Sequence, residues 1–421
     1  MRTGTRGPVS GHDDRRSSWL LPLAMLAGMF PAMAAAQDVP LGSPPGFESP
    51  SGLKVGNFDL YLRGQAGLAT TNNIREDSSE EGDERRVLAA AGALRSDWKR
   101  HALAFGGSYF EKRGIDFHDQ FSNALDLNVS GRIDFSDTLS LSLGVLRDET
   151  IIDKNSPLQF SGNLQGTSIE DVKEFELAWK DEKYFAKLQG RDDEIDNETD
   201  IDTTVVARVQ VQDRIERDLT LQVGTNRDWG QLYLLGGGGT IDYTGSAVIL
   251  PEDRDSRNRR FGVGYEMMRS DLSIVGRAIY FRGKFNASTI KDVSGVVGTL
   301  QARLAVNEDV AVAAKIERVF DEVNIQNSGG LFQTSMSLGL QHRLSKDVYW
   351  QAGPTGRHYR IVSTNLEADA FAFDGKIAWQ AHPRVEFILN GSLLTQSVND
   401  VSLADLEYTS NYLMLSTVIV F

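Results

Sequence analysis

The chain has 421 residues, with 58 acidic against 44 basic side chains and a formal charge of −14. Such acidity disfavours nucleic acid as a partner, because neutralising phosphates takes a basic surface. With no cysteine in the chain, disulfides and thiol chemistry are excluded, and the compartment is left open.

Residues 1–36 read as a cleaved export signal. Arg15 and Arg16 form its basic flank, and Ala34, Ala35 and Ala36 its small-residue cleavage site. The apolar run between them, residues 19–30, is shorter than the ~20 residues a spanning helix needs. The signal carries a charge of +2, which leaves −16 on the remainder. Beyond it no apolar run is long enough for a membrane helix, while glycine reaches 40 residues. That composition suits strands alternating between lipid and water better than apolar helices. Residues 37–56 read as a short periplasmic lead, since Pro44, Pro45 and Pro50 oppose regular structure.

From Asn57 to Phe421 tight turns alternate with longer polar loops. Turns are predicted at 98–100, 135–137, 180–182, 215–218, 269–271, 307–309, 345–347 and 381–384. Their spacing of roughly 35 to 40 residues fits two membrane strands, one loop and one turn. Between the turns side chains alternate by two. Leu139, Leu141, Leu143 and Val145 oppose Ser140, Ser142 and Gly144, and Phe175, Leu177 and Trp179 oppose Glu174, Glu176 and Lys180. The same pattern is read at Val205, Ala207, Val209 and Val211 against Arg208, at Met336, Leu338 and Leu340 against Ser335 and Ser337, and at Val385, Phe387 and Leu389 against Glu386. Each stretch has one greasy and one wet face. Most exceed the five or six residues of a soluble strand and match the 9 to 11 or more of a tilted membrane strand. Counting two strands per loop predicts a closed antiparallel β-barrel of about 18 strands, with 16 as the other count. Trp98, Trp179, Trp350 and Trp379 lie in or near predicted turns, where an aromatic girdle would sit.

The predicted loops at 72–84, 150–169, 192–202 and 229–258 are the long ones, and short turns inside with long loops outside is the usual asymmetry. Asp192, Asp193, Glu194, Asp196, Asp200 and Asp202 form nearly a carboxylate run. It lacks the glycine and fixed spacing of a calcium loop and reads as solvated surface bridged by divalent ions of the lipopolysaccharide layer. The run Gly236 to Gly239 is placed in a long loop, and without the lysine and helix of a phosphate cradle it is no nucleotide site. No catalytic motif, cofactor site or metal-ligand spacing appears. For a barrel enzyme, which needs a His with Ser or Asp across strands, the candidate is His358 near Asp369 and Asp374.

The wet faces hold the candidate functional residues. Arg63, Arg95, Asp126, Arg132, Glu174, Glu176, Arg208, Arg277, Arg303, Lys315, Glu317, Asp374, Lys376 and Glu386, with Lys180, Lys187 and Glu266, are expected to point into the lumen. Structurally they are inter-strand ion pairs. Functionally, a lumen without one dominant sign suits a neutral or weakly acidic hydrophilic solute, and a barrel of this size leaves an aqueous channel.

The last strand, residues 408–421, sets Leu413, Leu415, Ile419 and Phe421 on one face and ends on the aromatic. It resembles the C-terminal signature strand that the barrel-assembly machinery recognises in bacterial outer-membrane barrels. Together with the signal, the lead, the hairpin repeat and texture such as NFDLYLRGQAGLATTNN at 57–73, the chain resembles outer-membrane barrels of the β-barrel porin 2 type. That resemblance implies a passive conduit for a secreted polysaccharide, working with periplasmic export proteins, and the leading reading is a monomeric pore for an exopolysaccharide or capsular polysaccharide. A solute-uptake porin and a structural or adhesive barrel without an open channel are the alternatives.

Overall fold

The computed structural model describes residue 41 and residues 52–73, 81–116, 121–152, 166–199, 213–244, 253–321, 328–362, 366–399 and 407–421. The predicted signal, most of the lead, and the strand read at Val205 to Val211 with Arg208 lie outside the described residues.

Period-two patterning becomes strand throughout. A three-residue strand, β1 (Leu53–Val55), precedes β2 (Phe58–Thr71), β3 (Asp83–Ser96), β4 (Ala102–Gly114), β5 (Phe121–Asp134), β6 (Leu139–Ile152) and β7 (Gly166–Lys180). The chain continues through β8 (Tyr184–Thr199), β9 (Arg214–Arg227), β10 (Gly230–Tyr243), β11 (Ser256–Met268), β12 (Leu272–Phe285) and β13 (Val293–Ala305). It ends with β14 (Val310–Asp321), β15 (Leu331–Arg343), β16 (Val348–Ile361), β17 (Glu367–His382), β18 (Val385–Val398) and β19 (Tyr408–Val420). Each of β2 to β19 pairs antiparallel with the next, and β19 pairs back onto β2, which closes an 18-stranded barrel. Closure joins the first and last strands of the sheet, as lipid demands.

One face of the wall is apolar and exposed all round the circumference. Leu68 is 63% exposed, Phe261 62%, Leu415 59% and Leu143 51%. Soluble monomers do not leave so continuous an apolar surface bare, so this is the lipid-facing side. Cross-strand pairs such as Leu141 with Leu177 and Leu143 with Phe175 put like with like on it.

The closing seam is doubly secured. Pairing of β19 with β2 runs from Tyr412 opposite Thr71 to Val420 opposite Arg63. Phe421 and Leu62 then exchange backbone hydrogen bonds of 2.9 and 3.1 Å. Below that point β19 has ended, and β1 takes over the edge of β2, with Leu53 opposite Leu60 and Val55 opposite Phe58. The turn between them uses Gly56 at φ 64°, a left-handed conformation that glycine adopts without steric cost. Lys54 bonds Asp97 at 2.7 Å and pairs with Asp59 at 3.0 Å, and these two carboxylates raise its pKa. The lead touches the wall again at Leu41, whose carbonyl accepts a 2.9 Å bond from Arg303 Nε and whose side chain packs on Ala313.

At one place the wall overlaps itself. Pairing between β13 and β14 stops at Gly298 opposite Arg318, although both strands run on. Above that point Phe281 of β12 stacks on Phe320 of β14 at 4.8 Å, and Phe320 meets Phe332 at 5.2 Å. A Cβ on Gly295 would come within 2.9 Å of the Phe332 ring. By parity Phe281, Val293 and Gly295 belong to the inner face of their strands, and Phe320 and Phe332 to the outer face of theirs. The top of the β14–β15 hairpin therefore sits inside the top of β12–β13. Beside β15, Arg254 Nη2 donates to the Ser328 carbonyl at 2.8 Å.

Several expectations are corrected around β8 to β10. The predicted turn at 215–218 lies inside β9, and the real turn is at Asp228 and Trp229. Most of the predicted loop at 229–258 is likewise strand: Gly236 to Gly239 belong to β10, and Ser256 already begins β11. Asp192, Asp193, Glu194 and Asp196 extend β8, and the predicted loop at 150–169 loses residues at both ends to β6 and β7. Asp200 and Asp202 lie outside the described residues. These strand ends carry charge on both faces, which erases the alternation that marks strands lower down. The glycine run has a packing cause, since a Cβ on Gly237 would strike the Leu219 carbonyl of β9. Gly236, on the outer face, has nothing within 4 Å of the same position.

Two contrasts test this arrangement by heat-modifiability and urea titration of the refolded barrel. Leu143→Arg should lose roughly 2–4 kcal/mol by placing a cation against lipid, whereas Ser142→Arg, opposite Glu176 on the inner face, should fold. Gly237→Val should block correct β9–β10 pairing, whereas Gly236→Val should be tolerated.

Candidate functional site

The face opposite the apolar band is the interior of the barrel, and the strand register places the sequence-predicted polar residues on it. Arg63 and Arg95 stand on β2 and β3 in line with Tyr61, whose ring lies 5.5 Å from the Arg95 guanidinium. Asp126 of β5 accepts a 2.5 Å bond from Ser108 of β4, and Arg132 pairs with Asp134 at 3.0 Å. On β7 and β8, Glu176 accepts from Gln189 at 2.8 Å, and Gln189 accepts in turn from Gln222 at 3.2 Å. Glu174 stands opposite Arg191, which pairs with Asp193 at 2.8 Å and with Glu170. Sequence reasoning passed over Glu170, Arg191, Arg214, Glu216, Asp218 and Arg260, since it reads Glu216 and Asp218 as turn and the others border the predicted loops and turn.

These additions extend one charged band from β7 to β11. Arg214 pairs with Glu216 at 2.6 Å, and Arg260 of β11 reaches across β10 to Asp218 of β9. Further round, Tyr233 donates to Glu266 at 3.2 Å, Arg277 lies on β12, and Arg303 is committed to the Leu41 carbonyl. Lys315 pairs with Glu317 at 2.9 Å. On the last strands Lys376 lies 5.3 Å from the Tyr349 ring, whose hydroxyl donates to Glu386 at 3.4 Å, and Asp374 is buried. Lys180 and Lys187 complete the set on β7 and β8. Among the described residues cations and carboxylates thus interleave over most of the interior, while the inner faces of β12 and β13 carry Arg277 and Arg303. Half-exposed pairs of this kind are worth about 0–1 kcal/mol each, so their weight lies in the potential they set rather than in stability.

His358 does not join Asp374. The two sit on opposite faces of the wall, and His358 Nδ1 instead lies 2.8 Å from Asp369 on the outer face. Among the described residues no cluster of three or more His, Asp or Glu side chains could hold a metal ion. Two of the described carboxylates of the acidic run have arginine neighbours, Asp192 with Arg217 at 3.5 Å and Asp193 with Arg191.

Tryptophan marks the rim. Trp98, Trp179, Trp229, Trp350 and Trp379 all lie in or beside the tight turns. Trp229, expected in a long loop, belongs there because the β9–β10 turn does, and its ring stacks on Tyr265 at 5.8 Å. Indoles collect at the membrane–water boundary, so the tight-turn ends mark one interface.

A family model described as "Putative beta-barrel porin 2" matches residues 44–421. The chain belongs to this family. It is a porin-like outer-membrane barrel, and the closed 18-stranded architecture agrees with that membership. Among solved structures, OccK2 (OpdF) of Pseudomonas aeruginosa is similar at 10% identity and a TM-score of 0.47, covering 87% of this chain and 98% of its own. OccAB3 of Acinetobacter baumannii is similar at 8% identity and a TM-score of 0.47, covering 87% and 100%. The siderophore receptor PirA from Pseudomonas aeruginosa is similar at 10% identity and a TM-score of 0.43, covering 86% and 80%. No curated protein matches the chain significantly.

Asp218→Ala gives a test of the band. With its carboxylate removed, Arg260 keeps a half-buried charge with no counter-ion, and the folded barrel should lose roughly 1–3 kcal/mol in urea titration. Exchange of both residues for Asn and Gln should recover most of that loss.

Proposed function

We propose that the protein is a passive outer-membrane pore that admits hydrophilic solutes of low net charge. The observation that carries this reading is the interleaving of both signs on the interior wall, as in Arg191 between Glu170 and Asp193, and Lys315 beside Glu317. A wall of this kind offers hydrogen bonds and local dipoles to a hydroxyl-rich molecule, and holds back ions of either sign more weakly than a ring of one charge would. An 18-stranded barrel is wide enough for a water-filled passage. We take Arg63, Arg95, Asp126, Arg132, Glu174, Glu176, Arg277, Lys315, Glu317, Asp374, Lys376 and Glu386 as its lining. Arg303 instead holds the lead.

The family description speaks of a porin and makes no mention of polysaccharide. Solute uptake, the more general task of such a wall, is therefore the reading adopted over export of a polymer. Leu413, Leu415, Ile419 and Phe421, on the outer face of the closing strand, are taken as the features read by the assembly machinery.

Reconstitution into planar bilayers tests the reading. Discrete open-channel conductance with weak ion selectivity is expected, and a sealed barrel would overturn it in favour of a structural or adhesive role. Replacing Arg191 and Lys315 by Gln should leave the channel open and move the reversal potential toward cation preference.

A further inference from the structure

A groove of about 530 Å³ opens on the outer face of β14 to β18. Its apolar part is lined by Ile316, Met336 and Phe371, which are 47%, 54% and 50% exposed. Gly356 forms the floor, where a Cβ would meet nothing within 4 Å. One end of the groove is polar. Arg318, Thr334, His358, Asp369 and Ser397 are successive cross-strand partners on five adjacent strands, so they form a single row around the wall. The last four line the groove, and the Nδ1 of His358 is held by Asp369 at 2.8 Å. Arg318 Nε is buried without a hydrogen-bond partner. Arg360 lies exposed one step further toward the loops.

The height of the row identifies what surrounds it. It lies eight to thirteen residues up its strands from the tight-turn ends that carry the tryptophans. With the usual tilt that is roughly 20 to 33 Å, against about 25 Å for the apolar band. The row is therefore at the opposite interface, on the loop side, and the apolar part of the groove lies within the hydrocarbon of that leaflet. Acyl chains are what cover an apolar wall there. The two guanidiniums and the imidazole at the top then meet head groups, and arginine forks match phosphate oxygens.

We propose that this groove is a binding site for a phosphorylated, acylated lipid of the outer leaflet, with one acyl chain along Ile316, Met336 and Phe371 over Gly356. The phosphate lies at Arg318 and Arg360, and Thr334 and His358 bond the neighbouring polar group. The site is on the outside of the wall, so it stands whether or not the interior conducts.

Gly356→Leu fills the groove without backbone strain, and Gly375→Leu is its control. Gly375 lies on the same outer face with nothing within 4 Å of its Cβ position, and it does not line the groove. The delipidated, folded barrel in detergent is titrated with lipid A and followed by native mass spectrometry. One tightly held lipid A is expected for wild type and Gly375→Leu, with affinity about tenfold weaker in Gly356→Leu and in Arg318→Gln. Inorganic phosphate should not compete at millimolar concentration, because the acyl chain supplies part of the binding. Equal retention by Gly356→Leu and Gly375→Leu would overturn the proposal, as would displacement by phosphate alone. So would dimerisation through the groove, read as a second copy of the chain lost on Gly356→Leu with no lipid retained.

Discussion

Backbone hydrogen bonding in lipid governs this molecule. A peptide group facing hydrocarbon has no water to turn to, so every strand needs two neighbours and the sheet must return to its start. That requirement makes the β19–β2 seam the place where the whole chain is committed. The last backbone exchange there, between Phe421 and Leu62, comes before β2 has ended. Without β1 the stretch from Phe58 to Leu60 would keep an open edge at the rim. Three residues of the lead cover it, which ties a segment outside the repeat to barrel closure.

The interior follows from the same geometry. Because side chains alternate, fixing the apolar residues against lipid fixes the polar residues inward without further instruction. Lumen chemistry is then a choice among residues that cannot go anywhere else. Here the choice is largely paired charge, as in Arg191 with Asp193 and Lys315 with Glu317, joined by a chain of amides from Glu176 through Gln189 to Gln222.

Much of this was legible in the sequence. Where a strand lies within the membrane, as from Leu139 to Val145 or Met336 to Leu340, alternation alone assigns the face, and all but one of the predicted turns join the strands expected. Legibility fails above the membrane. In Arg214 to Asp218 and Asp192 to Asp196 both faces meet water, so hydrophobicity no longer records the pleat, and charged strand looks like charged turn. The glycines of β10 failed for another reason: they answer to the close approach of β9, which is a contact between strands and leaves no periodic mark. His358 and Asp369 were correctly suspected of company, but the face they share follows only from register. The overlap of β12–β13 on β14–β15 is wholly non-local and has no signature in either hairpin.

That overlap has a mechanical consequence. In a ring joined everywhere by ladder bonds, the circumference is fixed, and the cross-section changes only if bonds break. Above Gly298 and Arg318 the joint is made by side chains alone, Phe281 against Phe320 and Gly295 against Phe332. Aromatic surfaces slide at far smaller cost than backbone ladders part. The loop-side third of the cylinder therefore behaves as a split collar, able to alter its girth while the tight-turn end stays a rigid hoop.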